Sequence, residues 1–317
     1  VTAQRVVGGT RSGTRRTFVF VCAAALLTAL VTAHDRFPDV LGAGVFLDAA
    51  APWLVVFVPL LALTALLLRS PAGAAAALVP LLAWAWVFGS WWAPHSPGAS
   101  PRAVEPLRLV SQNLFADNAS PTATARALVA SDADLIAVQE FAGADREPVQ
   151  RILDRSYRYS EVVGTVALWS RYPTSETVAV DVGLPWHRGL RTEVSTPRGD
   201  LTVYVVHLPS IRPGDTTTRE RGLSTLSRTL AGDESARVLV AGDFNTPSTD
   251  RDWTRLAPGY EEARPSSGPG FTWPATFPLV RLDHILTRGL TATTSTVLRL
   301  PGPDHRAIDV TIDLSRS

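Results

Sequence analysis

The sequence predicts an α/β (α+β) domain built of two sheets covered by helices, preceded by three transmembrane helices. Three observations carry this prediction. Residues 17–92 hold three long apolar stretches, and residues 107–317 alternate between β-branched runs and helical patterns. Within that second part, polar residues suited to chemistry recur where the strand-like runs end, which is where sheet proteins assemble sites from distant parts of the chain.

The apolar stretches run over Thr17–Ala33, Ala49–Leu68 and Ala72–Trp92. Crossing a bilayer takes about 20 residues, within a range of roughly 17–25. Between Thr17 and Trp92 the only strong charges are Asp35, Arg36, Asp39, Asp48 and Arg69. A helix packed in a soluble core keeps a polar face, and these stretches have none. Pro52, Pro59 and Pro80 are tolerated in spanning helices. Trp91 and Trp92 end the third stretch, where amphipathic rings favour the membrane–water interface.

Arginine placement sets the expected orientation. Arg5, Arg11, Arg15, Arg16 and Arg69 fall on one side of the spans, against Arg36 and Arg102 on the other. Five against two puts the tail, residues 1–16, in the cytoplasm and the C-terminal domain outside a multi-pass cell-membrane anchor, residues 17–92. Thr14-Arg15-Arg16-Thr17-Phe18 also resembles a twin-arginine export signal, and Val31-Thr32-Ala33 a cleavage site. The two further spans favour a retained first helix, and either route delivers the domain outside. Residues 93–106, with Pro94, Pro97, Pro101 and Pro106, read as a short stiff linker.

From Val104 onward the chain carries 26 acidic residues against 23 arginines, a net of about three negative charges (23 − 26 = −3), and it contains no lysine. Domains built to grip polynucleotide phosphates are usually clearly basic. Cys22 is the one cysteine, so no intrachain disulfide forms. Strands are expected at Leu107–Asn113, Leu135–Glu140, Val166–Ser170, Leu201–His207, Val238–Asp243, Arg281–Leu286 and Ala307–Asp313. Helices are expected at Pro121–Ala130, Glu147–Asp154 and Thr218–Leu230, the last with Leu223, Leu226 and Leu230 on one face.

Taken singly, the polar residues at the strand ends say little. An Asn after a strand is usually a turn former, and a buried His bonded to an Asp is commonly structural. Their order and neighbours say more. Ser111-Gln112-Asn113-Leu114, Ala137-Val138-Gln139-Glu140, Leu168-Trp169-Ser170-Arg171-Tyr172-Pro173, Val206-His207-Leu208, Gly242-Asp243-Phe244-Asn245, Arg281-Leu282-Asp283-His284-Ile285 and Pro303-Asp304-His305 follow one another along Leu107–Asp313. This series resembles the endonuclease/exonuclease/phosphatase superfamily, most specifically in Gly-Asp-Phe-Asn and the terminal Asp-His. Phe271-Thr272-Trp273-Pro274 resembles the superfamily's aromatic segment before its last strand pair.

The resemblance implies a two-sheet α/β sandwich with a metal-dependent phosphoric ester hydrolase site at one end, using Mg²⁺ or Mn²⁺. Glu140 would be the main metal ligand, with Asn113 beside it and Asp304 as a further carboxylate. Asp243 would deprotonate the attacking water and Asn245 donate to developing charge. His305 would contact the phosphate, held by Asp283, while His207 would lie near the leaving group or phosphate. Arg171 is expected to support the site loop, and Arg188 and Arg191 are candidates for a second phosphate. His284 should point to the opposite face of its strand, as a structural residue.

Superfamily members act on DNA, RNA, sphingolipids and inositol phosphates, so fold and motif do not choose a substrate. The acidic charge and the short tether favour a lipid bilayer and a phosphorylated lipid or envelope component over nucleic acid, and no obligate protein partner is evident. Three spans plus this domain also resemble the teicoplanin-resistance membrane proteins of actinomycetes, which implies a cell-envelope and antibiotic-resistance role. The alternatives are a surface nuclease and a non-catalytic envelope-binding protein.

Overall fold

The computed structural model describes residues 8–93, 106–212 and 215–315; most of the linker and part of the N-terminal tail, with Arg5, His95 and Arg102, lie outside them. The chain divides into two compact units, residues 1–93 and 94–317.

The first unit is helical: α1 (Gly8–Thr32), α2 (Ala43–Ala50), α3 (Phe57–Leu67), α4 (Pro71–Ala76) and α5 (Leu78–Trp92). Three stretches, Gly13–Thr32, Ala43–Leu67 and Pro71–Trp92, are long and apolar enough to cross a membrane. Their inner faces meet around Leu27, Val31, Leu54, Val58 and Phe88. The second span starts six residues before the apolar run because Asp39 accepts hydrogen bonds from the Gly44 and Val45 amides, capping the turn.

The second unit has four layers, helix–sheet–sheet–helix. Its strands are β1 (Pro106–Asn113), β2 (Leu135–Gln139), β3 (Tyr159–Val163), β4 (Val166–Ser170), β5 (Thr174–Ala179), β6 (Gly189–Thr196), β7 (Gly199–His207), β8 (Val238–Asp243), β9 (Glu261–Glu262), β10 (Asp283–Arg288), β11 (Thr291–Leu298) and β12 (Ala307–Asp313). One sheet runs β11-β12-β1-β2-β4-β3 and the other β5-β6-β7-β8-β10-β9.

Side chains alternate across each strand, so one sequence serves two cores. Leu107, Leu109, Leu135, Ala137 and Leu168 meet Val203, Val205, Leu239 and Ala241 between the sheets. Val110, Ile136, Val138 and Trp169 face outward under α6 (Pro121–Ala130) and α7 (Arg146–Leu153). On the other flank Tyr204, Val206 and Val240 pack beneath α8 (Thr217–Ala231), beside the short α9 (Trp253–Leu256). The two central parallel pairs matter most for function. β1 with β2 and β7 with β8 run side by side, so Asn113 lies beside Gln139 and His207 beside Asp243.

Candidate active site

Each site residue sits at or beside one end of a strand. Asn113 closes β1, Glu140 follows β2, His207 closes β7 and Asp243 closes β8. Asp283 opens the antiparallel β10 directly opposite Asp243. Asp304 and His305 lie in the loop leading into β12. All eight residues read from the sequence therefore fall at one end of the two sheets. Glu140 and Asn245 take left-handed backbone conformations (φ 56° and 48°), as does Phe115 (φ 64°). Non-glycine residues rarely hold such angles unless their surroundings fix them.

Hydrogen bonds join the two sheets at this end. The Asn113 amide donates to Glu140 Oε1 at 3.1 Å and to Asp243 Oδ2 at 2.9 Å, while its own oxygen accepts from the Phe115 amide. Glu140 Oε2 accepts from the Ala116 amide at 2.8 Å. Asp243 Oδ1 accepts from the Asn245 amide at 2.8 Å, and the Asn245 side chain donates one hydrogen to Leu208 O. His305 Nδ1 bonds Asp283 Oδ2 at 2.8 Å, leaving Nε2 3.8 Å from Asp243 Oδ2. His207 Nε2 lies 3.6 Å from Asp243 Oδ2 and 3.8 Å from Glu140 Oε1. Asp304 accepts from the Trp273 indole at 3.3 Å.

Burial and neighbouring charge set the protonation states. Asp243 is pushed up to about 7 by burial and by Asp283, against the pull of His305 and two hydrogen bonds. Burial works against a charged His305, but Asp283 and Asp243 outweigh it and raise it to about 10. His207 moves the other way, well below its usual value, through burial and then the charges of Arg188 and His305. The site thus pairs a carboxylate poised near neutral pH with one cationic and one neutral imidazole.

Arg188 lies against the His207 ring. Burial lowers its guanidinium, Asp243 and Glu140 oppose that shift, and Arg212 adds to it. Among the described residues no carboxylate forms an ion pair with Arg188, so its charge faces the site. Arg191 does not reach the site; it is spent on Asp233 and Glu193. Nor does Arg171 support a site loop. It follows β4 at the end where Ser170 pairs with Leu135, opposite Glu140, and it binds Asp132 and Asp134 there. Its place beside a shared motif gave the wrong expectation, because antiparallel β4 carries the motif's C-terminal end away from the site. Arg212 was not singled out in the sequence, and nothing local marks it.

His284 is fully buried on the other face of β10. Its Nδ1 bonds Glu262 at 2.7 Å and its Nε2 donates to Thr246 O at 2.9 Å. That places it beneath the Asp243–Thr246 loop, in a supporting position.

The donors present fit a hard divalent cation, which prefers oxygen ligands. The carboxylates of Asp243 and Asp283 bring oxygens within 4.8 Å of one another. Glu140 adds a carboxylate that shares the Asn113 amide with Asp243, and Asp283 Oδ1 is buried with no hydrogen-bond partner. So many carboxylate oxygens around one point call for added positive charge.

Comparison with known proteins agrees with this geometry. A model of the endonuclease/exonuclease/phosphatase family matches residues 110–315. The chain belongs to that family. No curated protein matches the sequence. Among solved structures, D. rerio TDP2 complexed with single-strand DNA product aligns at a TM-score of 0.56 and 18% identity, over 66% of this chain and 99% of that one. Sphingomyelinase C from Streptomyces griseocarneus gives 0.52 and 15%, over 66% and 99%. Beta toxin from Staphylococcus aureus gives 0.54 and 15%, over 64% and 99%. These likenesses establish the shared fold, and family membership makes a hydrolase of phosphoric esters the general expectation.

Proposed function

We propose that this chain is a membrane-anchored, metal-dependent phosphoesterase facing the cell exterior, acting on a phosphate or pyrophosphate ester of a lipid or other envelope component. The observation that carries the chemistry is the buried Asp243 carboxylate, held between the Asn113 amide and the His305–Asp283 pair. A carboxylate raised to about 7 retains enough basicity to take a proton from attacking water. Cationic His305 and Arg188 neutralise charge on the phosphoryl oxygens, as attack on an anionic ester requires. Asp283 keeps the His305 ring oriented, and the Asn245 amide, which gives one hydrogen to Leu208 O, would give its other to the developing charge. Neutral His207, 3.6 Å from Asp243, relays the proton that Asp243 takes from water to the departing oxygen.

Glu140, Asn113 and Asp304, with Asp243 nearby, are the residues that would hold Mg²⁺ or Mn²⁺, which when bound supplies Lewis-acid neutralisation of the phosphoryl charge. The fold hosts both DNA and sphingolipid chemistry, so it does not choose the substrate. The net negative domain and the short tether to three candidate spans support a lipid or envelope phosphate, as does the resemblance to teicoplanin-resistance membrane proteins.

The test is hydrolysis by full-length protein in mixed micelles of lipid phosphates, lipid pyrophosphates, phospholipids and duplex DNA, with Mg²⁺, with Mn²⁺ and with chelator. The expected result is metal-dependent release from a lipid phosphate, abolished by chelator. Activity that survives thorough chelation removes the metal mechanism. DNA cleavage far faster than any lipid hydrolysis replaces this reading with a surface nuclease.

A further inference from the structure

Among the described residues from Pro106 onward, the exposed large apolar side chains are Val178, Trp186, Trp273, Phe277 and Leu279. All but Val178 lie on two loops that flank the site. Trp186 comes two residues before Arg188, which touches His207. Trp273 holds Asp304, next to His305. Backbone bonds between Trp273 and both Leu279 and Val280 close a tight hairpin with Phe277, 70% exposed, near its tip. Ala275 ties that hairpin to the Asp304 carbonyl. Phe271–Val280 contains no charged residue. Water-facing surface of this kind, gathered at one mouth, marks an interaction site.

We propose that the mouth of the site lies face-down on a lipid bilayer. Trp186, Trp273, Phe277 and Leu279 seat in the headgroup–acyl boundary, and the exposed Arg212 lies among lipid phosphates. The inference rests on the membrane-anchored reading above. Amphipathic tryptophans favour that boundary, and apolar side chains bordered by cations are the usual makeup of an interfacial contact.

The tether keeps the mouth within reach of the bilayer, which favours a bilayer over a nucleic acid or a second copy. β1 starts at Pro106 and delivers Asn113 to the site, so the tether joins the domain at the end away from the mouth. Eight strand residues at about 3.3 Å each cover about 25 Å. Twelve residues, 94–105, would reach about 37 Å at roughly 3.1 Å each. The chain is long enough to run back along the domain and bring the mouth to the bilayer, whereas half that length is not.

The test uses full-length Cys22→Ser protein in lipid vesicles, carrying a single cysteine labelled with an environment-sensitive nitrobenzoxadiazole probe. One variant is Phe277→Cys. The other is Asp200→Cys, exposed at the start of β7 and at the opposite end of that strand from His207. The expected result is a blue-shifted label at 277, quenched at least two-fold by spin-labelled lipid, with the label at 200 unaffected. Deleting residues 97–102 should remove the quenching at 277. A label at 277 that stays open to aqueous iodide, or quenching at 200 instead, overturns the proposal. Lipid-phosphate hydrolysis is measured separately on unlabelled protein. Hydrolysis without quenching sinks the docking alone; quenching without hydrolysis of any lipid phosphate upholds the docking and sinks the substrate reading.

Discussion

His305 and His284 are the informative pair at the scale of single residues. Both are buried and both bond a carboxylate, yet their surroundings drive them in opposite directions. His305 is raised to about 10 by Asp283 and Asp243 against the pull of burial. His284 is lowered, chiefly by burial, although Glu262 opposes the shift. Asp243→Asn or His305→Ala should therefore cut turnover by a factor of about 10² or more with the fold retained, and His284→Ala should cost far less turnover. Equal losses at the two histidines would reverse their assignment. The pH profile tests the charge network more finely. Asp283 raises both His305 and Asp243, so removing its charge lowers both. Asp283→Asn should move the acid limb, set by Asp243, and the alkaline limb, set by His305, to lower pH together. A variant with reduced turnover but unmoved limbs would reduce Asp283 to a packing role.

Elements show why the sequence was legible in some places and silent in others. The strands that bear site residues, β1, β2, β7, β8, β10 and β12, lie inside the two sheets, are buried on both faces and read as apolar runs. The unforeseen β3, β5, β9 and β11 are the four sheet edges, where exposed positions break the pattern. β5 alternates little and is mostly exposed, and β9 is two residues long. β6 escapes the pattern for a different reason: Arg191 and Glu193 occupy one face, and Thr192 separates Leu190 from Val194 on the apolar one. The eight candidate residues stand in ordered motifs, and Arg188, a candidate for a second phosphate, lies against His207; Arg212, whose charge acts on Arg188, stands in a loop that no local pattern marks. The start of β10 shifted from Arg281 to Asp283 because Arg281 is drawn into a buried cluster with Glu262 (3.0 Å) and Ala263 O. That cluster pins β9 to β10 and, through His284, supports the loop after Asp243. Glu262→Ala would leave Arg281 and His284 buried without their shared carboxylate, which typically costs about 3–5 kcal/mol. Thermal unfolding in detergent should show a drop of roughly 10 °C for a domain of this size. A change within 2 °C or so would mean that the cluster contributes nothing to holding β9 in place.

At the scale of the whole molecule, the question is which side of the membrane the site faces. Span length and hydropathy are indifferent to direction, so the prediction rests on charge alone. Arg5, Arg11, Arg15 and Arg16 precede the first span, and Arg69 occupies the turn between the second and third. Arg69 takes a left-handed conformation there, and the Arg16 side chain donates to the Leu68 carbonyl at 3.3 Å. The first helix therefore brings Arg15 and Arg16 to the same end of the helical unit as the turn that carries Arg69. The opposing count is Arg36 and Arg102, and Arg36 has Asp35 and Asp39 close by in sequence. With an odd number of spans, a cytoplasmic N-terminus sends the domain after the third span to the exterior. Protease added to intact cells or protoplasts should then degrade the C-terminal domain while the membrane is closed. Protection of the domain until the membrane is opened would place the site in the cytoplasm, leave its chemistry untouched, and shift the candidate substrates to lipid phosphates of the inner leaflet.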